Sequence, residues 1–193
     1  MKTKTKIWIC PLALIGVLLM LTSYSNKKND NNSNSKPTDY HIGQNYGGGI
    51  IFYIDSTGQH GLIAAAADQS KSMQWGCQGS LIPVIFTAIG TGQANTTTIL
   101  NVCPTPSIAA RICDQYSETV DGVTYDDWFL PSKDELYLLY QQKTIVGGFA
   151  IYSPYWSSSQ YNANYAWGQG FGNGSQSFNT KGYTTCVRAI RAF

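Results

Sequence analysis

Histidine, basic stretches and clustered cysteines are all scarce in this chain of 193 residues, and each scarcity closes off a class of function. There are two histidines, His41 and His60, and no C-x-x-C, so a zinc site has few side chains to draw on. No metal and no cofactor is expected. Charged residues make up only 12% of the chain. Six of the 13 Lys and Arg precede Pro37, and from Tyr40 onward seven of them stand against nine Asp and Glu. No basic stripe exists to follow a phosphate backbone, so nucleic acid is not an expected partner. The Gly47–Gly49 triplet lacks the G-K-[ST] of a phosphate loop and reads as a turn. There is no G-x-S-x-G elbow to present a serine nucleophile.

What is present begins with a leader. Lys2, Lys4 and Lys6 precede an apolar run from Ile7 to Leu21, which is signal-peptide length and short of the about 20 apolar residues of a spanning helix. Residues 1–25 are therefore expected to direct export. The end of the run has the look of a bacterial lipoprotein signal, but the lipid-accepting Cys is replaced by Tyr24, which has no thiol to acylate. Residues 26–39 form a polar tether with nothing to pack, and residues 40–193 the folded domain. The mature protein is expected at the cell surface, in the periplasm or outside the cell. A membrane is a partner only if an anchor is retained. Loss of Cys10 with the leader leaves Cys77, Cys103, Cys113 and Cys186, an even count that suits an oxidising compartment. One disulfide is expected among Cys77, Cys103 and Cys113, with Cys186 free.

The domain reads as α+β. Strands are expected at Ile50–Ile54, within "HGLIAAAAD", and at "YWSSS", "YAWGQGF" and "TCVRAIRAF". "MQWGCQGSLIPV" reads as loop around Trp75. Helices are expected from about Gln93 to Asn101 and again after the Pro104–Pro106 break. The clearest local signal is "LPSKDELYLLYQQK". Ser132 and Glu135 have capping-box spacing, Asp134 and Glu135 sit in the positive first turn, and Gly147–Gly148 stops the helix. Asp134 and Glu135 read as helix caps rather than as a catalytic carboxylate pair.

The C-terminal third carries the functional signal. Ser157, Ser158 and Ser159 invite a nucleophile reading, but a serine nucleophile needs a base and an orienting group. The two histidines lie about a hundred residues upstream in expected turns, so the serines read as strand residues and catalysis is not expected. Farther on, Tyr161, Tyr165, Phe178 and Tyr183 alternate with Asn162, Asn164, Gln169, Asn173 and Gln176. Rigid aromatics interspersed with amides are what paratopes and sugar-binding surfaces use. These nine residues are the candidate ligand-binding set, with an extracellular glycan or protein as the partner. Trp128, Trp156, Trp167 and Phe171 are assigned to the core. Arg188 and Arg191 are expected to pair with Asp126 or Asp127.

Several blocks in order, "GGGIIFYID", "HGLIAAAADQS", "WGC", "AIGTGQANT", "AARIC", "DWFLPSKDELYLLYQQ", "YWSSSQY", "FGNG" and "VRAIRAF", resemble the Lcl-type C-terminal domain family of exported bacterial modules. The resemblance covers roughly residues 43–193. It implies a C-type-lectin-like fold related to sulfatase-modifying-factor domains: a small twisted antiparallel sheet, two or three flanking helices and long irregular loops. It also implies a role in adhesion, including binding of sulfated polysaccharides. The E-P-N or Q-P-D and W-N-D signatures of calcium-dependent lectins are missing, so no calcium-mediated sugar site is expected. Cys186 stands alone where the formylglycine-generating relatives need a close cysteine pair, which argues against that oxidase chemistry.

Together these readings describe an exported, non-enzymatic recognition or adhesion domain. Two alternatives stand beside it. One is a structural subunit of a surface or fimbrial assembly. The other is a receptor-binding protein diversified by a retroelement that rewrites adenines. Gly168, Phe178, Tyr183 and Cys186 fall within the reach of altered Asn codons, while Trp167, Gln169, Gln176 and Lys181 do not. For the leader, the expected outcome is a mature protein that begins near Asn26 without lipid. Intact mass checks this, and Tyr24→Cys should turn the product into an acylated, membrane-bound form.

Overall fold

The computed structural model describes residues 39–83 and 86–193; the expected leader and the tether up to residue 38 lie outside the described residues. In chain order the described elements open with β1 (Asn45–Tyr46), β2 (Gly49–Ile54), β3 (Gly61–Ala64) and β4 (Ser70–Gln74). An irregular stretch leads to α1 (Gly92–Val102) and α2 (Ala109–Asp114). A hairpin of β5 (Glu118–Val120) and β6 (Val123–Tyr125) precedes α3 (Lys133–Gln141) and the short α4 (Lys143–Val146). The chain ends in β7 (Pro154–Gln160), β8 (Tyr165–Gly170), β9 (Gln176–Thr180), β10 (Thr184–Val187) and β11 (Ile190–Ala192).

These strands make a four-stranded sheet in the order β1-β2-β3-β11 and a five-stranded sheet in the order β4-β10-β7-β8-β9. The α+β class is thus observed, with more sheet than one small antiparallel layer. Nor is the larger sheet antiparallel throughout, because β10 runs parallel to β7 through the Cys186–Tyr155 pair. The expected final strand "TCVRAIRAF" is two strands, and the chain changes sheet between them at Arg188 and Ala189.

Burial on both faces explains why β7 shows no alternation of apolar and polar residues. Successive side chains point to opposite sides of a strand. Tyr155 enters a cluster with Phe52, Leu62, Phe129, Leu136, Leu139 and Phe171. Trp156 enters the other, with Ile51, Ile63, Trp75, Ile99, Ile108 and Trp128. After Trp156 the pairing with β8 shifts, so that Ser157, Ser158 and Ser159 sit where the ladder is interrupted. Their hydroxyls compensate. Ser157 donates to Trp167 O at 2.9 Å, Ser158 accepts from Asn95 Nδ2 at 3.2 Å, and Ser159 donates to Phe86 O at 2.7 Å. All three serines are buried.

The α3 capping box forms as expected. Ser132 N–H donates to Glu135 Oε2 at 2.7 Å, and Glu135 N–H to Ser132 Oγ at 3.3 Å. Glu135 also reaches back to the irregular stretch, accepting from Gly90 N–H at 2.7 Å. Burial raises its carboxyl above the ordinary value, against the opposing pull of these N–H donors. A disulfide joins Cys77 to Cys103, with Cys113 and Cys186 free and buried. Closing a loop of this length stabilises by roughly 3 kcal/mol.

Of the two arginine expectations, one holds. Arg191 Nε and Nη2 donate to Asp127 at 2.6 and 2.9 Å, tying β11 to the turn before α3. Arg188 instead meets Asp68, at 2.8 Å from Nε, and donates to Ala65 O and Gly148 O. The reason is the change of sheet: Arg188 sits where β10 gives way to β11, and its side chain is fully buried.

Lys181 is also fully buried, and no described carboxylate pairs with it. Its Nζ donates to Gln160 Oε1 at 2.8 Å and Ser80 O at 3.0 Å, and lies 4.4 Å from the centroid of the Trp75 ring. Burial lowers its pKa to about 8. A depressed folded-state value means stability that is complete above the unfolded value of 10.5 and is lost as pH falls through about 8. Between pH 7 and pH 9.5 Lys181 should therefore contribute a gain in stability of roughly 1–3 kcal/mol. The buried thiols of Cys113 and Cys186, both raised by burial, work against this as pH climbs through the ordinary thiol value of 9.0. Tyr40 and Tyr116, each pushed up to about 12 chiefly by burial, oppose it above that window. The stability of the wild type relative to Lys181→Met should rise across the window, because the thiols and tyrosines act equally in both proteins; urea titrations make the comparison.

Candidate functional site

The outer strands β8 and β9 place the candidate residues by simple alternation. They pair in uninterrupted register, Tyr165 with Thr180, Trp167 with Phe178 and Gln169 with Gln176. Tyr165, Trp167 and Gln169 therefore share a face with Gln176 and Phe178. At the Gln169 end this face is covered by α3. Gln169 is 0% exposed, and Gln176 Nε2 donates to Lys133 O at 3.2 Å. At the other end no described element covers it, and four rings gather there.

Tyr161 and Phe178 stack with centroids 4.3 Å apart and planes within 4°. Trp167 meets Tyr161 edge-on at 5.6 Å and Phe178 at 5.7 Å, and Tyr165 meets Phe178 at 5.5 Å. Lys133 Nζ lies 4.6 Å from the Trp167 ring centroid, so the patch carries one cation. Tyr161, Tyr165 and Phe178 are 50%, 36% and 45% exposed. Such pairs add about 0.5–1.5 kcal/mol each beyond their buried area, so the rings hold one another in place without a partner.

The structure divides the candidate set. Tyr161, Tyr165 and Phe178 come together as one patch, with Asn162 and Asn164 in the turn beside them. Asn162 is a turn former, its Oδ1 accepting from the N–H groups of Asn164 and Tyr165 at 2.9 and 3.0 Å. Gln169 is no surface residue, since its Nε2 is spent inside on Gly170 O and Ser175 O. Gln176 is half-buried as an anchor for α3. Tyr183 is exposed but lies in the β9–β10 turn and stacks on none of the four rings. Asn173 belongs to the opposite side of the sheet. There Tyr152, Pro154, Gly170, Ser175 and Ser177 line a shallow polar hollow of about 450 Å³.

Two residues of the patch escape the sequence reading. Trp167, expected in the core, is half-buried and part of the surface. Period-two spacing from Tyr165 is the signal that places it there. Lys133 reads only as the first residue of a helix, and nothing local announces that it reaches a ring on another element. The serine question is answered by burial: the three hydroxyls are committed to the scaffold, while His41 and His60 are exposed and bond to none of them.

With the two-sheet scaffold and its uncovered aromatic corner in view, comparison with known proteins places the chain. It belongs to the Lcl C-terminal domain family, whose model matches residues 64–191. Among solved structures it is similar to a fimbrial protein from Bacteroides ovatus ATCC 8483, with a TM-score of 0.51 and 14% identity. The match covers 82% of this chain and 45% of that one, so the chain spans less than half the length of this neighbour. No curated protein matches the chain.

Truncation separates the two kinds of aromatic. Tyr183→Ala should leave unfolding free energy within roughly ±0.5 kcal/mol, because the side chain packs on no other ring. Tyr161→Ala, which removes a stacked ring, should cost about 1 kcal/mol. Equal losses in denaturant titrations would contradict the patch geometry.

Proposed function

We propose that this chain works by contact rather than by catalysis, as a subunit of a surface or fimbrial-type assembly outside the bacterial cell. The observation that carries this reading is the aromatic patch of Tyr161, Tyr165, Trp167 and Phe178, with Lys133 its one charged group, beside the open edge of β9. Exposed apolar clusters of this kind mark interaction sites, and an unpaired strand edge accepts another strand. The likeness of fold to a fimbrial protein agrees with it, as does a disulfide suited to an oxidising compartment. We keep the lectin-like description of the fold, and a non-enzymatic role without metal or cofactor, as parts of the same proposal.

A second reading is favoured by Lys133 over Trp167 and by the exposed amides of Asn162 and Asn164. In it the same patch takes an extracellular glycan or protein ligand directly. Codon diversification finds less support. Gly168, Thr185 and Cys186 are buried, and a Cβ at Gly172 would come within 2.4 Å of Ile151 O, so exchange at these sites would disturb the scaffold.

The subunit reading is tested on cells making the full chain. Gentle surface extraction followed by non-denaturing size separation should place the chain in a particle much larger than itself. Tyr161→Ala/Tyr165→Ala should reduce that fraction. Recovery of the wild-type chain only as a free monomer in the medium would overturn it.

A further inference from the structure

The edges of the two main sheets are not alike. β1 is two residues long, and the outer side of β11 is occupied by Phe129, which exchanges N–H···O bonds with Ile190 at 2.8 and 3.0 Å. β4 carries the exposed Lys71, pairs with β10 through a register shift, and lies against α2. Short strands, lysines, bulges and covering elements are the devices by which natural sheets block edge-to-edge pairing. β9 has none of them. It is five residues long, in unbroken register with β8, without charge or proline, and among the described strands pairs with β8 alone.

The direction of its free groups follows from the ladder. Gly170 N–H donates to Ser175 O at 2.8 Å and Lys181 N–H to Asn164 O at 2.9 Å. Alternation then turns the backbone groups of Ser177 and Asn179 toward β8 and those of Gln176, Phe178 and Thr180 outward. No described residue accepts from the outward N–H groups. Of the outward carbonyls, only that of Thr180 is engaged, by Tyr183 N–H at 2.9 Å.

We propose that β9 is a self-pairing edge, joined antiparallel to β9 of a second copy of this chain about a two-fold axis at Phe178. This rests on the contact reading above and names the partner. In that register Phe178 faces the partner's Phe178, and Gln176 faces the partner's Thr180. Every outward donor meets an outward carbonyl, because a symmetric pairing makes the set its own complement, with Thr180 O accepting a second N–H beside that of Tyr183. Side chains agree with the backbone. The two aromatic patches flank the axis and merge into one stripe, and no charged residue occurs between residues 154 and 180 to repel its copy. Lys133, held at the Gln176 end of each β9, falls at opposite ends of the joint. An unrelated partner would have to supply both the ladder and a matching aromatic face; this chain already carries both.

The test uses the purified exported protein in a concentration series, read by sedimentation. A reversible shift to twice the chain mass is expected. Thr180→Pro and Gln176→Pro each remove an outward N–H while leaving the bonds to β8 in place, so both should remain monomeric with a nearly unchanged melting temperature. F178C should give a disulfide-linked dimer on mild oxidation. Y152C should not, although Tyr152 is the more exposed residue at 96%. If the proline variants fail to fold, the cysteine pair decides alone. A wild type that stays monomeric without F178C cross-linking overturns the inference, and so does a dimer indifferent to both prolines or a Y152C link of equal yield. Cross-linking of F178C on cells to a different protein also overturns it, yet leaves the surface-subunit reading standing. A self-paired protein that joins no larger surface particle does the reverse.

Discussion

The buried pair of Arg188 and Asp68 is the joint on which the two sheets turn. The guanidinium spends its donors on Asp68, Ala65 O and Gly148 O and lies 4.3 Å from the Phe149 ring centroid. Asp68 accepts in turn from the Tyr155 hydroxyl at 2.9 Å, which itself accepts from Ala150 N–H. One ion pair thus links the end of β3, the crossover from β10 to β11, the segment after α4 and the start of β7. Removing one member of such a pair strands a buried charge, at a cost of about 3–5 kcal/mol. The outer strands can afford an irregular, uncharged surface because the interior is fixed at this point.

A second constraint acts from the other side of the larger sheet. Lys181 occupies the turn after β9, and its backbone carbonyl accepts from the N–H groups of Trp75 and Gly76. Its ammonium holds Ser80 and Gln160. Ser158 and Ser159 of β7 bind the same irregular stretch, at Phe86, to α1 and α3 through Asn95 and Lys133. A segment with little secondary structure is therefore held by buried polar groups, which is why these positions are hydroxyl and amide rather than aliphatic.

Legibility in the sequence followed the range of the interaction. The α3 capping box, the helix after the proline break and the strand at Ile50–Ile54 depend on neighbours in the chain, and all were readable. The β5–β6 hairpin was equally local and was missed. Its Asp121-Gly122 turn, with φ of 51° and 79°, is the two-residue signal that marks it. Arg188 meets Asp68 rather than the expected Asp126 or Asp127 because the crossover that carries it there is a property of topology. Gln169 and Trp167 were exchanged between inside and outside, since composition separates amides from aromatics but does not show which end of a strand a helix covers. The exposure of Tyr161, Tyr165, Phe178 and Tyr183 was legible because turn-rich flanks leave few elements to bury them, but that Tyr183 stands apart from the other three was not.

The Cys77–Cys103 bridge has a consequence for how such a domain survives outside a cell. Between the two half-cystines there is no lysine or arginine, so trypsin-like enzymes find no cleavage site in the irregular stretch. Leu81 and Phe86 are exposed there and would attract proteases that favour large apolar residues. A nick by one of these leaves both pieces covalently joined and still held by the polar contacts on either side. Digested molecules would run as intact protein until a reductant was added, and the exposed stretch could be cut without being shed.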